Sequence, residues 1–343
     1  MVSLPQVLAS NAHIATSLPP DLVAVFAGAT TGIGRATLKA FVKYAVAPRI
    51  YLFARNTDAA AQVVGECTEI NPKCEIEVIK VDLSSMRETE AACEVVLAKE
   101  QRVNLLVLSM GEVRADRALS NEGLHLVLAT VYYARILIPA LLLPLLTHAS
   151  THTPLARVLD IAGGTKEGPV DLADLAALRL PMSKIRGQLS SMHTLSLESL
   201  AERAPMVSFV HEFPGAVVTP LFEGVPGWAG WMMWVLGMYL RLFQRWVCVP
   251  LEECAERQVF LGTSAKYAAG EGDAGGVELA DGVERGQATE QVRSCVYSVD
   301  WDGEGPGERV LKLLKGLRRE GVREVVWEHT NGEFERIRRG KGF

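Results

Sequence analysis

Between an apolar run, Leu22 to Gly28, and a helical pattern that begins at Gly32 lies Gly28-Ala29-Thr30-Thr31-Gly32-Ile33-Gly34. Glycines at such a junction let the backbone turn tightly and approach a pyrophosphate, while the helix start offers amide N–H groups to its charge. A glycine triplet in isolation is a weak signal. A strand before it and a helix after it, inside one βαβ unit, give it meaning. The chemistry expected is dinucleotide binding, with Gly28, Thr30, Thr31, Gly32, Ile33 and Gly34 as the cradle. The following strand runs on through YLFARN to Arg55-Asn56, with no carboxylate placed to accept from ribose hydroxyls. A guanidinium pairs bidentately with a phosphate instead. Arg55, with Asn56 beside it and Arg35 assisting from just after the glycine loop, therefore points to NADP(H) over NAD(H).

The scaffold that must position these groups reads as alternating strands and helices. Apolar runs of strand length at 22–28, 49–53, 75–81, 103–109, 156–161 and 207–213 alternate with helical patterns at 32–44, 59–70, 88–100, 122–146 and 189–204. Strands apolar on both faces, linked by helices, indicate an α/β protein: a doubly wound parallel sheet (Rossmann-like). The expected organisation is an N-terminal lead (1–20), the NADP-binding unit (21–221), an apolar C-terminal cap or lid (222–269), a flexible Gly-rich acidic loop (270–286) and an extension packed on the same domain (287–343).

Composition narrows the function classes. The chain has 343 residues, 49% hydrophobic and 22% charged, with a formal net charge of −5, which excludes a disordered chain. Mild acidity without a Lys/Arg run leaves no footprint for nucleic acid. Cys67, Cys74, Cys93, Cys248, Cys254 and Cys295 are scattered and read as buried thiols of a reducing compartment. The first residues lack the basic and apolar regions of a secretory signal, so a cytoplasmic location is expected. Val225 to Leu240, VPGWAGWMMWVLGMYL, is short for a membrane span and is followed by Arg241, Gln244 and Arg245. It reads first as a lid over an apolar pocket and second as a peripheral membrane contact through Trp228 to Leu240. Trp228, Trp231, Met232, Met233 and Trp234 favour an apolar, polycyclic or isoprenoid-like substrate over a sugar.

With its G-x-x-x-G-x-G spacing, the chain resembles the short-chain dehydrogenase/reductase family from roughly Leu18 to Leu221. The family's TGxxxGIG loop corresponds to Ala27-Gly28 through Gly32-Ile33-Gly34, and its acidic adenine contact to Asp82, with Leu83, in VDLSS. Its NAG segment becomes Ser109-Met110-Gly111. Its PG motif is Pro214-Gly215, with Thr219 where the family contacts the nicotinamide carboxamide. The lead and the tail (VYSVDWDGEG, VWEHTNGEFERI) resemble a fungal branch associated with secondary-metabolite pathways. For catalysis the resemblance implies a Tyr, a Lys four residues later, a Ser and an Asn. It places Arg186 at the tyrosine, Ser190 at the lysine, Gly163 at the serine and Val131 at the asparagine, so all four are replaced. No tyrosine stands between Leu178 and Gly215, and Met182-Ser183-Lys184 has only a superficial likeness to the family's Ser-Lys pair.

Other groups would then have to handle the proton. Arg135 lies one helical turn beyond Val131 on the same face, with Tyr132 and Tyr133 beside it. His193 offers an imidazole, a side chain suited to giving and taking a proton, and Asp171 and Asp174 follow the fifth strand. Arg135, Tyr132, Tyr133 and His193 are the catalytic candidates, Arg135 foremost. His148 and His152 have i,i+4 spacing, but THASTHTP reads as loop and holds no carboxylate, so no metal is expected. The reading that follows is an NADP(H)-dependent oxidoreductase acting on a carbonyl, alcohol or imine of an apolar, secondary-metabolite substrate. A non-redox isomerase or cyclase and a nucleotide-binding pseudoenzyme are the alternatives. A small apolar substrate is the expected partner, and an oligomer is compatible with the sequence.

Overall fold

The structure, a computed structural model of the chain, describes residues 1–112, 114, 116–219, 248–270, 275–290 and 295–340. The lid and membrane-contact readings of Trp228 to Leu240 therefore lie outside the described residues. Seven strands, β1 (Val23–Ala27), β2 (Arg49–Ala54), β3 (Glu75–Lys80), β4 (Leu105–Leu108), β5 (Arg157–Ile161), β6 (Ser208–Glu212) and β7 (Val296–Val299), form one sheet. Their order is β3-β2-β1-β4-β5-β6-β7 and every pair is parallel. β1, β4, β5, β6 and β7 are buried at every residue. A strand enclosed on both faces requires helices on both sides of the sheet.

Two apolar cores answer that requirement. One face is covered by α1 (Leu4–Ala12), α3 (Gly32–Tyr44), α4 (Thr57–Ile70) and α9 (Leu251–Thr263), with α2 (Ile14–Ser17) joining the N-terminal helix to the core through Ile14. The other carries α5 (Met86–Lys99), α7 (Ala134–His152), α8 (Met182–Ala201), α10 (Glu308–Arg319) and α11 (Val322–Arg338). The chain winds outward from β1 to β3, then crosses to β4 and winds the other way. The reversal leaves a crevice at the carboxyl ends of β1 and β4, where ligands of doubly wound sheets bind.

Helix boundaries follow from local chemistry. Asn56 caps α4 by accepting the Asp58 and Ala59 amides, and Ser85 caps α5 through the Glu88 amide. α6 (Leu126–Leu128) runs through a π turn (Ala129–Tyr133) directly into α7. The expected loop THASTHTP is instead the last turns of α7. Hydroxyls of Ser150 and Thr153 bond back to the carbonyls of Thr147 and Ala149, and the helix stops just before Pro154. His148 and His152 stack there at 4.0 Å. α8 also begins at Met182 rather than Leu189, opened by Pro181.

The helix from Leu126 to His152 is long and apolar enough to cross a membrane, but 67% of its most apolar window is buried in the fold. It is the core helix between the sheet and its neighbours. All six cysteines are thiols, and four of them are buried.

Candidate functional site

The glycine turn sits at the carboxyl end of β1 and opens α3. Gly28 has φ +81°, and a Cβ there would stand 2.4 Å from the Met110 backbone at the end of β4. A Cβ on Gly34 would stand 2.4 Å from the Gly28 carbonyl oxygen. The first glycine thus allows the turn, and the last lets α3 close onto the strand. Thr30, Thr31 and Ile33 complete the turn, with Thr31 as the N-cap of α3. Thr219, beyond the Pro214-Gly215 turn after β6, reaches back to within 3.4 Å of the Cβ position of Gly32. Segments that follow β1, β4 and β6 therefore converge at the start of α3.

Arg55 extends β2 as an exposed residue with no hydrogen-bond partner among the described residues. Two of its expected helpers are engaged elsewhere. The Asn56 side chain is occupied as the N-cap of α4. Arg35 is held by Glu66 on α4, which also pairs with Lys39 at 3.0 Å. Each thus has a partner within the protein, the Glu66 carboxylate for Arg35 and the α4 amides for Asn56. After β3, Asp82 accepts from the Ser84 amide at 3.0 Å and hydroxyl at 2.8 Å, and Leu83 is buried. Gly111 follows Met110 on the same rim.

The four catalytic candidates occupy a different environment from the one expected. Arg135 is buried and donates to the carbonyls of Leu108, Met110 and Ile161 and to Asp160. It ties the ends of β4 and β5 together from below. Tyr132 donates or accepts with Ser196 at 2.9 Å and Thr330 at 2.7 Å, and burial pushes its phenol up to about 12. Tyr133 bonds His329 of α11 at 2.8 Å, and burial raises its phenol well above 10. Both phenols face the packed C-terminal helices, so the proton-donor expectation for them is corrected. A completely enclosed phenol has no substrate to meet.

His193 is buried as well. Its Nδ1 meets Asp160 at 2.7 Å and its Nε2 meets the Val131 carbonyl at 2.7 Å, inside the π turn. A carboxylate and a carbonyl both accept, so each ring nitrogen faces an atom that takes a hydrogen. Burial pushes the Asp160 carboxyl up, but Arg135, His193 and His211 outweigh it and hold it well below the usual carboxylate range. Asp160, His193 and His211 bring ligand atoms within 4.8 Å of one another. Those atoms are nonetheless engaged by protein groups, and a guanidinium borders the cluster, so it is a hydrogen-bond network.

His211 and Glu167 extend this network, and the sequence reading missed both. His211 accepts from the Gly163 amide at 3.1 Å through Nε2 and donates through Nδ1 to Thr194 at 2.9 Å. Thr194 passes its hydrogen to Glu167 at 2.8 Å, which also accepts from Ser298 at 2.6 Å. Burial drives the His211 ring down to about 3 and raises the Glu167 carboxyl. On the far side of β6, Glu212 accepts from Gln258 at 3.0 Å, and burial lifts its carboxyl to about 8. The available signal was polar residues inside strand-length apolar runs, Asp160 in RVLDI and His211-Glu212 in SFVHE, since buried polar groups need partners.

Above this network Gly163, Val131, Ser190 and Arg186 gather at the carboxyl ends of β5 and β6. A Cβ on Gly163 would stand 2.4 Å from Ser190 Oγ, and Ser190 donates to the Arg186 carbonyl at 2.9 Å. Asp174, by contrast, folds its own loop by accepting the amides of Leu178, Arg179 and Leu180. Asp171 likewise accepts from the Ala173 amide.

Comparison with known proteins agrees with this geometry. A family model described as short chain dehydrogenase matches residues 22–151. An oxidoreductase of Emericella nidulans is 32% identical over 339 residues, spanning 96% of this chain and 97% of that protein. The short-chain dehydrogenase/reductase SAT2 of Stachybotrys chartarum is 25% identical over 331 residues, covering 90% of this chain and 91% of that one. Among solved structures, a 3-oxoacyl (acyl-carrier-protein) reductase from Agrobacterium tumefaciens C58 with NADP bound superposes with a TM-score of 0.54 at 16% identity, over 74% of this chain and 89% of that chain. That likeness is one of fold.

Proposed function

Since the chain belongs to the short-chain dehydrogenase/reductase family and is one of its oxidoreductases, we propose that it uses NADP(H) to reduce or oxidise a carbonyl, alcohol or imine of an apolar, secondary-metabolite substrate. The observation that carries the cofactor choice is the pairing of a glycine cradle with an exposed Arg55, just past the end of β2, that has no hydrogen-bond partner among the described residues. The cradle fits a pyrophosphate, because Gly28 and Gly34 let β1, the turn and α3 pack backbone against backbone, which sets the amide-bearing N-terminus of α3 at the end of the strand. Arg55 fits a ribose 2′-phosphate, for which a fork of N–H donors is suited.

Bound in this crevice, NADP(H) supplies or accepts the hydride. The amides of Gly28 to Gly34 hold the pyrophosphate and Arg55 the 2′-phosphate. Asp82, Leu83 and Gly111 line the adenosine side, and Val131, Pro214, Gly215 and Thr219 the nicotinamide side. Arg135 and His193 act from beneath: they fix the Met110 and Val131 carbonyls and so set the shape of the rim. The reductase of similar fold from Agrobacterium tumefaciens C58 holds NADP, which is compatible with this choice.

The test is a binding comparison of NADPH and NADH with the wild type and Arg55→Glu. Loss of charge-assisted hydrogen bonds of roughly 1.5–3 kcal/mol predicts NADPH weakened by at least about tenfold. NADH should change by less than about twofold. Equal weakening of both would remove the phosphate assignment.

A further inference from the structure

Two glycines place a pair of cations at the substrate end of the crevice. Gly187 lies inside α8, where a glycine costs about 0.5–1 kcal/mol relative to alanine, so its presence asks for a reason. The reason is contact: a Cβ on Gly168 would stand 2.9 Å from the Gly187 Cα, and one on Gly187 would stand 3.1 Å from the Gly168 Cα. The Gly168 amide donates to the Gly187 carbonyl at 2.9 Å, and Ser191 donates to the Gly168 carbonyl at 2.6 Å. The loop after β5 is thereby sewn to α8, backbone against backbone. Arg186 is the chain neighbour of one glycine, and Lys166 stands two residues before the other.

Both cations converge on Phe213, the residue that leads β6 into Pro214-Gly215. Lys166 Nζ lies 4.7 Å and the Arg186 guanidinium carbon 4.6 Å from the centre of its ring. Like charges gathered on one ring repel unless anions balance them. Asp300 balances Lys166, at 2.5 Å, and is itself held by the Thr165 hydroxyl. Arg186 is exposed, and its guanidinium has no hydrogen-bond partner among the described residues. Among the described residues, one guanidinium is thus held in place by an aromatic ring and a glycine-sewn loop with neither an anion nor a hydrogen-bond acceptor on its donors.

We infer that Arg186, seated on Phe213 beside Lys166, is the subsite for a carboxylate carried by the apolar substrate. A guanidinium fork suits a carboxylate bidentately, and the ring beneath it offers an apolar surface to the adjoining skeleton. The inference deepens the oxidoreductase reading and rests on it, while involving the opposite end of the crevice from Arg55. The dinucleotide's phosphates are the other source of anionic oxygen, and the experiment separates the two.

The probes are 2-naphthoate and its neutral counterpart 2-naphthamide, titrated calorimetrically into wild type, Arg186→Met and Arg186→Lys, with NADPH affinity measured on each protein. Naphthoate should bind the wild type at least about tenfold tighter than the amide. That preference should fall below about twofold in Arg186→Met and be partly kept in Arg186→Lys. NADPH affinity should stay unchanged in both, whereas Arg55→Glu should do the reverse. Equal binding of the two probes to wild type, no naphthoate binding at about 10 mM, or NADPH weakened by Arg186→Met with naphthoate unaffected would each overturn the subsite. Gly187→Ala supplies a second variant, since separating the loop from α8 should reduce naphthoate binding and spare NADPH.

Discussion

At the β1–β2 end of the crevice the polar groups are left open: backbone amides around Gly28 and Gly34, and the exposed Arg55. At the β5–β7 end most of them are closed onto one another, Asp160 on Arg135 and His193, and Glu167 on Thr194 and Ser298. The open end spends little packing on its polar atoms because a ligand can satisfy them. The closed end buries charge, whose cost is offset there chiefly by partners that the protein itself supplies. Arg186 is the exception on that side, a cation on the rim of the closed network whose donors meet no acceptor among the described residues. The difference teaches that a residue type suited to catalysis is informative only with its exposure. Arg135, Tyr132, Tyr133 and His193 have the right chemistry and the wrong surroundings.

The comparison is broken most sharply by emptying the closed end. Asp160→Leu would leave Arg135 buried with carbonyls alone, and a loss of about 3–5 kcal/mol in urea unfolding is expected. A loss below about 1 kcal/mol would show that Asp160 and Arg135 are not a working pair. At the open end, Gly28→Ala forces a side chain into a left-handed turn and onto the Met110 backbone. The expected cost is about 3 kcal/mol, together with loss of NADPH binding. Retained affinity would mean that the turn is not the cradle.

A pH profile sharpens the contrast further. His211 falls from 6.5 to about 3, so the unfolded chain binds a proton between those values that the native protein refuses. Its contribution to stability is lost as pH drops through that window. Glu212 rises from 4.5 to about 8, so the native protein keeps a proton that the unfolded chain releases. Its contribution is lost as pH climbs through that window, and Glu167, also raised, acts in the same direction. The Tm should therefore rise with pH on the acid side of 4.5 and decline between 6.5 and 8, with the two groups opposed in between. Glu212→Gln should flatten the alkaline decline and leave the acid limb unchanged. The smallest effect is expected from Tyr133→Phe, which removes one hydrogen bond to His329, about 1 kcal/mol, with NADPH affinity unaltered.

Much of the fold was legible because it rests on local repetition. The strands β1 to β6 and the helix at Gly32–Tyr44 follow from runs of apolar residues and from glycine placement. The end of α7 was not, since THASTHTP has loop composition while its hydroxyls satisfy helix carbonyls. The partners of Asn56 and Arg35 were not legible for a related reason. Sequence distance showed them near the nucleotide site but did not show that the amides of α4 and the Glu66 carboxylate are nearer still.

What the sequence determined by itself is the doubly wound sheet and its glycine turn, because that turn is built from seven consecutive residues whose backbone conformation is set locally. What the tertiary structure alone decided is the other end. There Arg135, Asp160, His193 and His211 come from four segments of chain, and Lys166 and Arg186 meet on Phe213 where Gly168 packs against Gly187. Facing, burial and charge compensation are properties of contacts between distant segments, and no local pattern encodes which of two arginines will be enclosed and which left free to bind.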